Sequence, residues 1–480
     1  MKFLTRLAAA LASGGALAQV YGLHPLWWLA WLAPIPLLVA AMGATRRTAF
    51  LLGAIAGALS MGGLFSYLLS IVGPGVIAAF ALQQAVLFGL FALFTRLAAE
   101  RLPSFGAALV LPALLAAIET LTAQFAPNGS FGSLAYSQLE FLPVVQLASV
   151  GGAPAVTFLV ALFASGLSLA IWKRRLRTAI LPLLVVGGGL AWGLNQFPGP
   201  ATVNSAAVHD DLPVTLIADD RFDGVSSDWR PVWDGYEADI ARAARAGQRI
   251  IVLPEKIAQL SAADSEGALA RFADIARTHD VMIVLGVDAI LGDRHFNRAY
   301  VFRPDAETLA YDKRHMIPGL ESEFAPGPGS LSFEQGATRF GVAICKDMDF
   351  PTLGRDYPGV RVMLVPAWDF GVDGYLHSRM AMLRGVENGF TIVRSARNGL
   401  LTVSDRYGRV IAQHASGAPG VLTAYAPLGA PGPTLYERVG DAFGWAMCAL
   451  ALLLMALSLL GRRPAAPQKP EQDATANPSP

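Results

Sequence analysis

Up to residue 196 the chain is a series of long apolar stretches separated by short polar connections. Stretches near 4–21, 25–43, 48–71, 74–96, 104–125, 143–171 and 178–196 match the ~20 residues that cross a bilayer as a helix, and one more lies at 440–461. This pattern predicts about eight membrane spans. The stretch at 143–171 is over-long and contains Gly151, Gly152 and Pro154, so a bend or re-entrant piece is expected inside it. The first stretch has the length of a signal peptide's apolar core, but further spans follow at once, so it is read as a membrane helix.

Between residues 205 and 430 the pattern changes to short β-rich runs alternating with amphipathic stretches. Strands are predicted at 213–218, 249–253, 281–287, 298–303, 339–344, 361–365, 391–395 and 400–404. Helices are predicted at 234–246 and 375–388, the second with Met380, Leu383 and Val386 at helical spacing. Strands followed by helices predict an α/β layered domain with helices packed on sheet. The chain thus divides into membrane helices at 1–196, an α/β domain at 197–439, a last span at 440–461 and a tail at 462–480. The tail is rich in Pro, Ala, Gln and Asn and is expected to be disordered.

Composition supports this division. The chain is 54% hydrophobic and only 15% charged, against about 25% charge in a soluble domain. A net charge of +1 argues against a nucleic-acid surface. The basic residues add a direction. Lys2 and Arg6, Arg46 and Arg47, Arg96 and Arg101, Lys173 to Arg177, and Arg462 and Arg463 occupy alternate connections, whereas those near 22–24, 72–73 and 126–142 hold no Lys or Arg. The positive-inside rule then predicts both termini on the cytoplasmic side and the α/β domain outside.

Several predicted strands end directly in polar residues, where a rigid sheet can fix catalytic geometry. Glu255 follows Val252-Leu253-Pro254, Lys313 lies in Tyr311-Asp312-Lys313-Arg314-His315 with Glu321 downstream, and Cys345 follows Gly341-Val342-Ala343-Ile344. The chain has two cysteines, and Cys448 lies in the last apolar run, so Cys345 is the α/β domain's lone thiol. A cysteine attacks a carbonyl as thiolate and needs a base or cation nearby. A carboxylate suits the proton transfer, and an ammonium with the next backbone N–H suits the oxyanion. On these grounds alone each residue is also readable as an ordinary structural or surface group. Glu119, inside the fifth span, is a functional candidate by its placement or an interfacial carboxylate. No His/Cys/Asp cluster has metal-ligand spacing, so no metal or cofactor is expected.

In this order and context, the three segments resemble the Glu, Lys and Cys motifs of the nitrilase superfamily. Glu119 with Ala135-Tyr136-Ser137-Gln138, Gln146-Leu147-Ala148, Ala396-Arg397-Asn398-Gly399-Leu400 and Pro433 to Asp441 further resemble the apolipoprotein N-acyltransferase family over nearly the whole chain. The resemblance implies an α-β-β-α sandwich on a helical base in a bacterial inner membrane. It implies Cys345 as nucleophile, Glu255 as general base, Lys313 at the oxyanion and Glu321 as accessory carboxylate. The implied reaction moves an acyl chain from a glycerophospholipid, through a cysteine thioester, to the α-amine of a diacylglyceryl-cysteine lipoprotein. A membrane-bound amidase, or a transferase acting on another amine, is the alternative reading. The chain departs from the family's pattern at Lys346 and Asp347, where an aromatic residue and Glu are usual, and at Asn128-Gly129-Ser130-Phe131. Lys346 and Asp347 are taken as accessory positions, and Trp368, Phe350 and Glu119 as substrate contacts.

Overall fold

A computed structural model describes residues 2–197, 211–222, 224–428 and 432–461. The tail, with Arg462 and Arg463, lies outside the described residues.

The base is built from α1 (Lys2–Val20), α2 (Leu29–Leu32), α3 (Pro34–Met42), α4 (Arg46–Ser60), α5 (Phe65–Ile71), α6 (Pro74–Arg101), α7 (Ser104–Phe125), α8 (Leu142–Val145), α9 (Ala148–Lys173) and α10 (Ile180–Leu194), joined by the closing helix Ala442–Leu460. Seven of its helical segments are long and apolar enough to cross a membrane, and Leu29–Met42 is a shorter apolar segment. The predicted span at 25–43 is thus two short helices. Pro34 opens the second, at a position where its missing N–H costs no helical bond. This broken segment still crosses the bundle, because Gly43 at its far end accepts a bond from Arg6 near the start of α1. The over-long stretch is likewise divided, into α8 and α9, and α9 kinks at Gly151 and Gly152.

Cationic side chains gather at one end of the bundle. Lys173 donates to Ser104 Oγ at 3.0 Å, and Arg101 to the carbonyls of Ser458 and Leu459 at 2.6 and 2.5 Å. The opposite ends of α7 and α9 meet the α/β domain: Ser130, just beyond α7, bonds Asp349, and Ala153 near the start of α9 bonds Glu387.

The α/β domain runs β1 (Leu212–Ala218), α11 (Arg230–Arg245), β2 (Ile250–Val252), β3 (Gln259–Leu260), α12 (Ala262–His279), β4 (Met282–Leu291), β5 (Arg294–Arg303), β6 (Ala306–Asp312), β7 (Leu331–Gln335), β8 (Thr338–Val342), α13 (Pro351–Gly354), β9 (Val362–Trp368), α14 (Gly374–Asn388), β10 (Thr391–Arg397), β11 (Leu400–Ser404), β12 (Val410–Ala415) and β13 (Gly420–Ala426). The chain then returns through α15 (Leu435–Val439) to the closing helix, α16. One sheet is ordered β13-β1-β2-β4-β5-β6, with β3 on β4, and the other β12-β11-β10-β9-β8-β7. The central strands β1, β2 and β4 are parallel, as are β8, β9 and β10.

The period of two along a strand divides the layers. Leu216, Val252 and Val284 pack inward against Val342, Leu364 and Val393 of the second sheet. Ile217, Ile251 and Ile283 point outward onto Trp233 and Phe272 of α11 and α12. Met363 and Val365 point the other way, toward Ala381 of α14. The opposite face of α14, with Met380, Leu383 and Val386, packs on Val145 and Val160 of the base. The result is an α-β-β-α sandwich seated on the helices through α14.

Candidate active site

Each candidate residue leaves the end of a strand. Glu255 follows β2, and its backbone lies so close to β4 that a Cβ on Gly286 would stand 2.7 Å from Glu255 Cα. Only glycine fits there. Lys313 follows β6, and its N–H bonds the carbonyl of Asn297 at 2.8 Å. Cys345 opens the tight turn Cys345–Asp349 after β8, at φ +43°. That left-handed conformation costs a non-glycine residue about 1–2 kcal/mol, and the surrounding bonds must hold it.

Asp347 supplies them. Its fully buried carboxylate accepts from Ile344 N at 3.2 Å and Tyr311 Oη at 2.7 Å. It also accepts from the N–H groups of Arg314 and His315 at 3.1 and 2.9 Å, and pairs with His315 Nδ1 at 3.0 Å. One side chain therefore ties the cysteine turn to the segment that carries Lys313.

The charged groups form a closed cluster. Lys313 Nζ donates to Glu255 Oε1 at 2.9 Å and to both Glu321 oxygens at 3.0 and 2.8 Å. Lys256 Nζ reaches Glu321 Oε1 at 2.8 Å. Asn297 Nδ2 bonds Glu255 at 2.5 Å and Glu321 at 3.0 Å. Two carboxylates and two ammonium groups thus balance, as burial of such charges requires. Both donors to Glu255 fall on Oε1, and among the described residues Oε2 carries no hydrogen bond.

Burial opposes the charged form of Lys313, but Glu255 and Glu321 outweigh it and hold the pKa above the ordinary lysine value. Glu321 is likewise opposed by burial and is held below the usual carboxylate range by Lys313 and Lys256. Burial and the charge of Glu255 push the Cys345 thiol well up, against the opposing pull of Lys313 and Arg394. Cys345 Sγ lies 3.7 Å from the Trp368 carbonyl.

Cys345 opens into a cavity of about 360 Å³ with two kinds of wall. The α/β domain supplies Lys346, Asp349, Trp368, Phe370 and His377, and the base supplies Leu68, Ile71, Val76, Phe80 and Phe131. A second cavity of about 300 Å³ shares Leu68, Phe80, Pro127, Asn128 and Phe131 and runs on between the helices. A third, of about 510 Å³, meets Glu255, Lys256, Glu321 and Trp368 from the other side. The loop after α7 docks on the cysteine turn itself. Ser130 N and Oγ bond the Asp349 carbonyl at 2.9 and 2.6 Å, and Lys346 Nζ bonds Asn128 Oδ1 at 2.6 Å. A Cβ at Gly129, where φ is +54°, would stand 2.6 Å from that carbonyl.

Glu255, Lys313, Cys345, Glu321, Lys346 and Asp347 therefore come together, and Trp368 lines the thiol's cavity. Phe350 stands outside that lining and stacks on His315, with ring centroids 3.7 Å apart. Glu119 lines the cavity between the helices, and Ser133 Oγ, Leu134 N and Thr157 Oγ1 bond its carboxylate at 2.8, 2.7 and 2.7 Å. Sequence reasoning missed Asn297 and Lys256. A polar residue on the inward side of β5, level with Glu255, is the signal that points to the first.

Known proteins resemble the chain over most of its length. Residues 13–166 match the family described as apolipoprotein N-acyltransferase N-terminal domain, and residues 221–431 match carbon-nitrogen hydrolase. The apolipoprotein N-acyltransferase of Geobacter metallireducens is 26% identical, over 94% of each chain. That of Bradyrhizobium diazoefficiens is 30% identical, over 74% of each chain. Among solved structures, a nitrilase-superfamily amidase from Nesterenkonia AN1 is 21% identical, covers 48% of this chain and 95% of its own, and superimposes with a TM-score of 0.43. With helices long and apolar enough to cross a membrane beneath an α/β domain that matches carbon-nitrogen hydrolase, the chain belongs to the apolipoprotein N-acyltransferase family and is a membrane-bound acyltransferase.

Proposed function

We propose that the protein transfers an acyl chain from a glycerophospholipid to the N-terminal amine of a diacylglyceryl-cysteine lipoprotein. Cys345 Sγ attacks the ester carbonyl while Glu255 takes the thiol proton. Lys313, with the N–H of Lys346, stabilises the oxyanion. The C–O bond breaks, Glu255 returns the proton to the leaving alcohol, and a lysophospholipid departs from the thioester. The lipoprotein amine then attacks the thioester, Glu255 accepts its proton, and Cys345 is released as thiol. Glu321 keeps Lys313 charged and in place. The thiol's elevated pKa supports a concerted step, in which proton removal accompanies attack.

One observation carries this reading. The cavity at Cys345 has membrane-helix residues for one wall, which supports delivery of a lipid's acyl chains to the thiol along an apolar face. The gathering of cations at the far end of the bundle supports a bacterial inner-membrane orientation. Both termini would then be cytoplasmic, and the domain at 197–439 extracytoplasmic. The test uses purified protein in detergent, phosphatidylethanolamine and a diacylglyceryl-cysteine peptide. The peptide gains one acyl chain by mass spectrometry, and Cys345→Ala gives none. A Cys345 thioester with an unchanged peptide moves the acceptor elsewhere. Neither product nor thioester across several donor lipids overturns the proposal and favours the amidase.

A further inference from the structure

Lys346 follows the nucleophile directly and is only 6% exposed. An ammonium has three hydrogens to donate. Among the described residues this one has a single acceptor, Asn128 Oδ1, and forms no ion pair. Its neighbours in the cavity are differently served. Asp369 is held by Arg394 at 2.5 and 3.0 Å, and Asp373 by His377 at 3.1 Å and Tyr67 at 2.8 Å. Asp349 lies 3.9 Å from His377. Lys346 is thus the lining cation whose contact partner is a neutral amide. It lines the same cavity as Cys345, together with Leu68, Ile71 and Phe80 of the helices.

We propose that Lys346, held in place by Asn128, seats the phosphodiester of the donor lipid, so that the headgroup is gripped beside the thiol while the acyl chains lie against the helices. This inference rests on the lipid-transfer reading above and adds the residue that recognises the donor. A buried ammonium with unspent donors gains most from a partner that is both anionic and rich in acceptor oxygens. Burial depresses the Lys346 pKa, with Asp349 opposing, and an incoming phosphate reverses that penalty. Asn128 is a suitable neighbour, because an amide fixes the ammonium's direction without neutralising it.

The experiment compares two acyl donors in the full-length protein, reading the Cys345 thioester by intact mass spectrometry. One donor is phosphatidylethanolamine and the other, free of phosphate, is the p-nitrophenyl ester of the same fatty acid. In Lys346→Met the acylation rate with phospholipid falls about ten- to a hundredfold relative to the rate with the p-nitrophenyl ester. The loss appears mainly in KM, and Lys346→Arg restores it. A parallel fall with both donors, or a fall with neither, overturns the proposal while leaving lipid transfer intact. Failure of the unmodified protein to take acyl groups from any phospholipid overturns both. Inorganic phosphate in the p-nitrophenyl assay tests for a free anion, and a Lys346-dependent change in that rate would reassign the site to free phosphate.

Discussion

Replacing Asn297 with Leu separates positioning of the proposed base, Glu255, from stability of the fold. The side chain is fully buried, and its single NH₂ bonds Glu255 at 2.5 Å and Glu321 at 3.0 Å. Hydrogen bonds to charged groups contribute about 1.5–3 kcal/mol each. Glu321 keeps Lys313, Lys256 and the Ile317 N–H, so it is little disturbed. Glu255 keeps Lys313 alone. A loss of about 1.5–3 kcal/mol in holding the base, at about 1.36 kcal/mol per tenfold, slows thioester formation roughly ten- to 150-fold. Stability falls as well, because both buried carboxylates lose a donor, but removal of the partnerless Asn297 Oδ1 offsets part of that loss. The backbone bond from Lys313 N to the Asn297 carbonyl is unaffected by the exchange. Single-turnover acylation followed by mass spectrometry, beside a melting curve in detergent, reads both quantities. A rate within threefold of the unmodified protein, or a rate loss that tracks unfolding, would refute the argument.

Other expectations follow from the same geometry. Because burial and Glu255 raise the Cys345 thiol's pKa, iodoacetamide labels it more slowly than a free thiol at neutral pH and faster as the pH rises; rapid labelling at pH 7 would contradict this. Gly129→Ala places a Cβ 2.6 Å from the Asp349 carbonyl in a left-handed conformation, so it lowers both the melting temperature and the acylation rate. Burial disfavours the charged form of His377, but Asp349 and Asp373 hold its pKa up to about 10. Its contribution to stability is therefore complete below the unfolded value of about 6.5 and is lost as the pH rises through about 10. Melting scans from pH 6 to 10.5 should show a steeper decline in the unmodified protein than in His377→Gln.

The parts of the site that lie at strand ends were legible in the sequence, because Glu255, Lys313 and Cys345 each break a β-rich run with a polar group. The pattern of cations among the apolar stretches matched the charged end of the bundle. What escaped was whatever depends on two distant segments meeting. Asn297 is one polar residue in a strand that carries several, and nothing local marks it as the donor to two carboxylates. Lys256 reads as a solvated lysine until Glu321 arrives from 65 residues away. Lys346 and Asn128 are separated by 218 residues, so their pairing has no local signature. Among the elements, α12 was missed although Ala268, Phe272, Ile275 and Ala276 mark one buried face. The strand β12 escaped for a different reason: it is a largely exposed edge with no alternation for burial to impose.

Helix α14 is buried along nearly its whole length, with one face on the second sheet and the other on the base. The membrane helices are therefore a flank of the catalytic domain rather than a leash. A fragment cut free of them would expose Met380, Leu383 and Val386, and would also leave the cysteine turn without Ser130 and Asn128 to brace it. Packing of α14 on both sides sets the thiol's place relative to the membrane helices, and in the proposed reaction both lipid substrates come to it. Each has to be delivered to one depth.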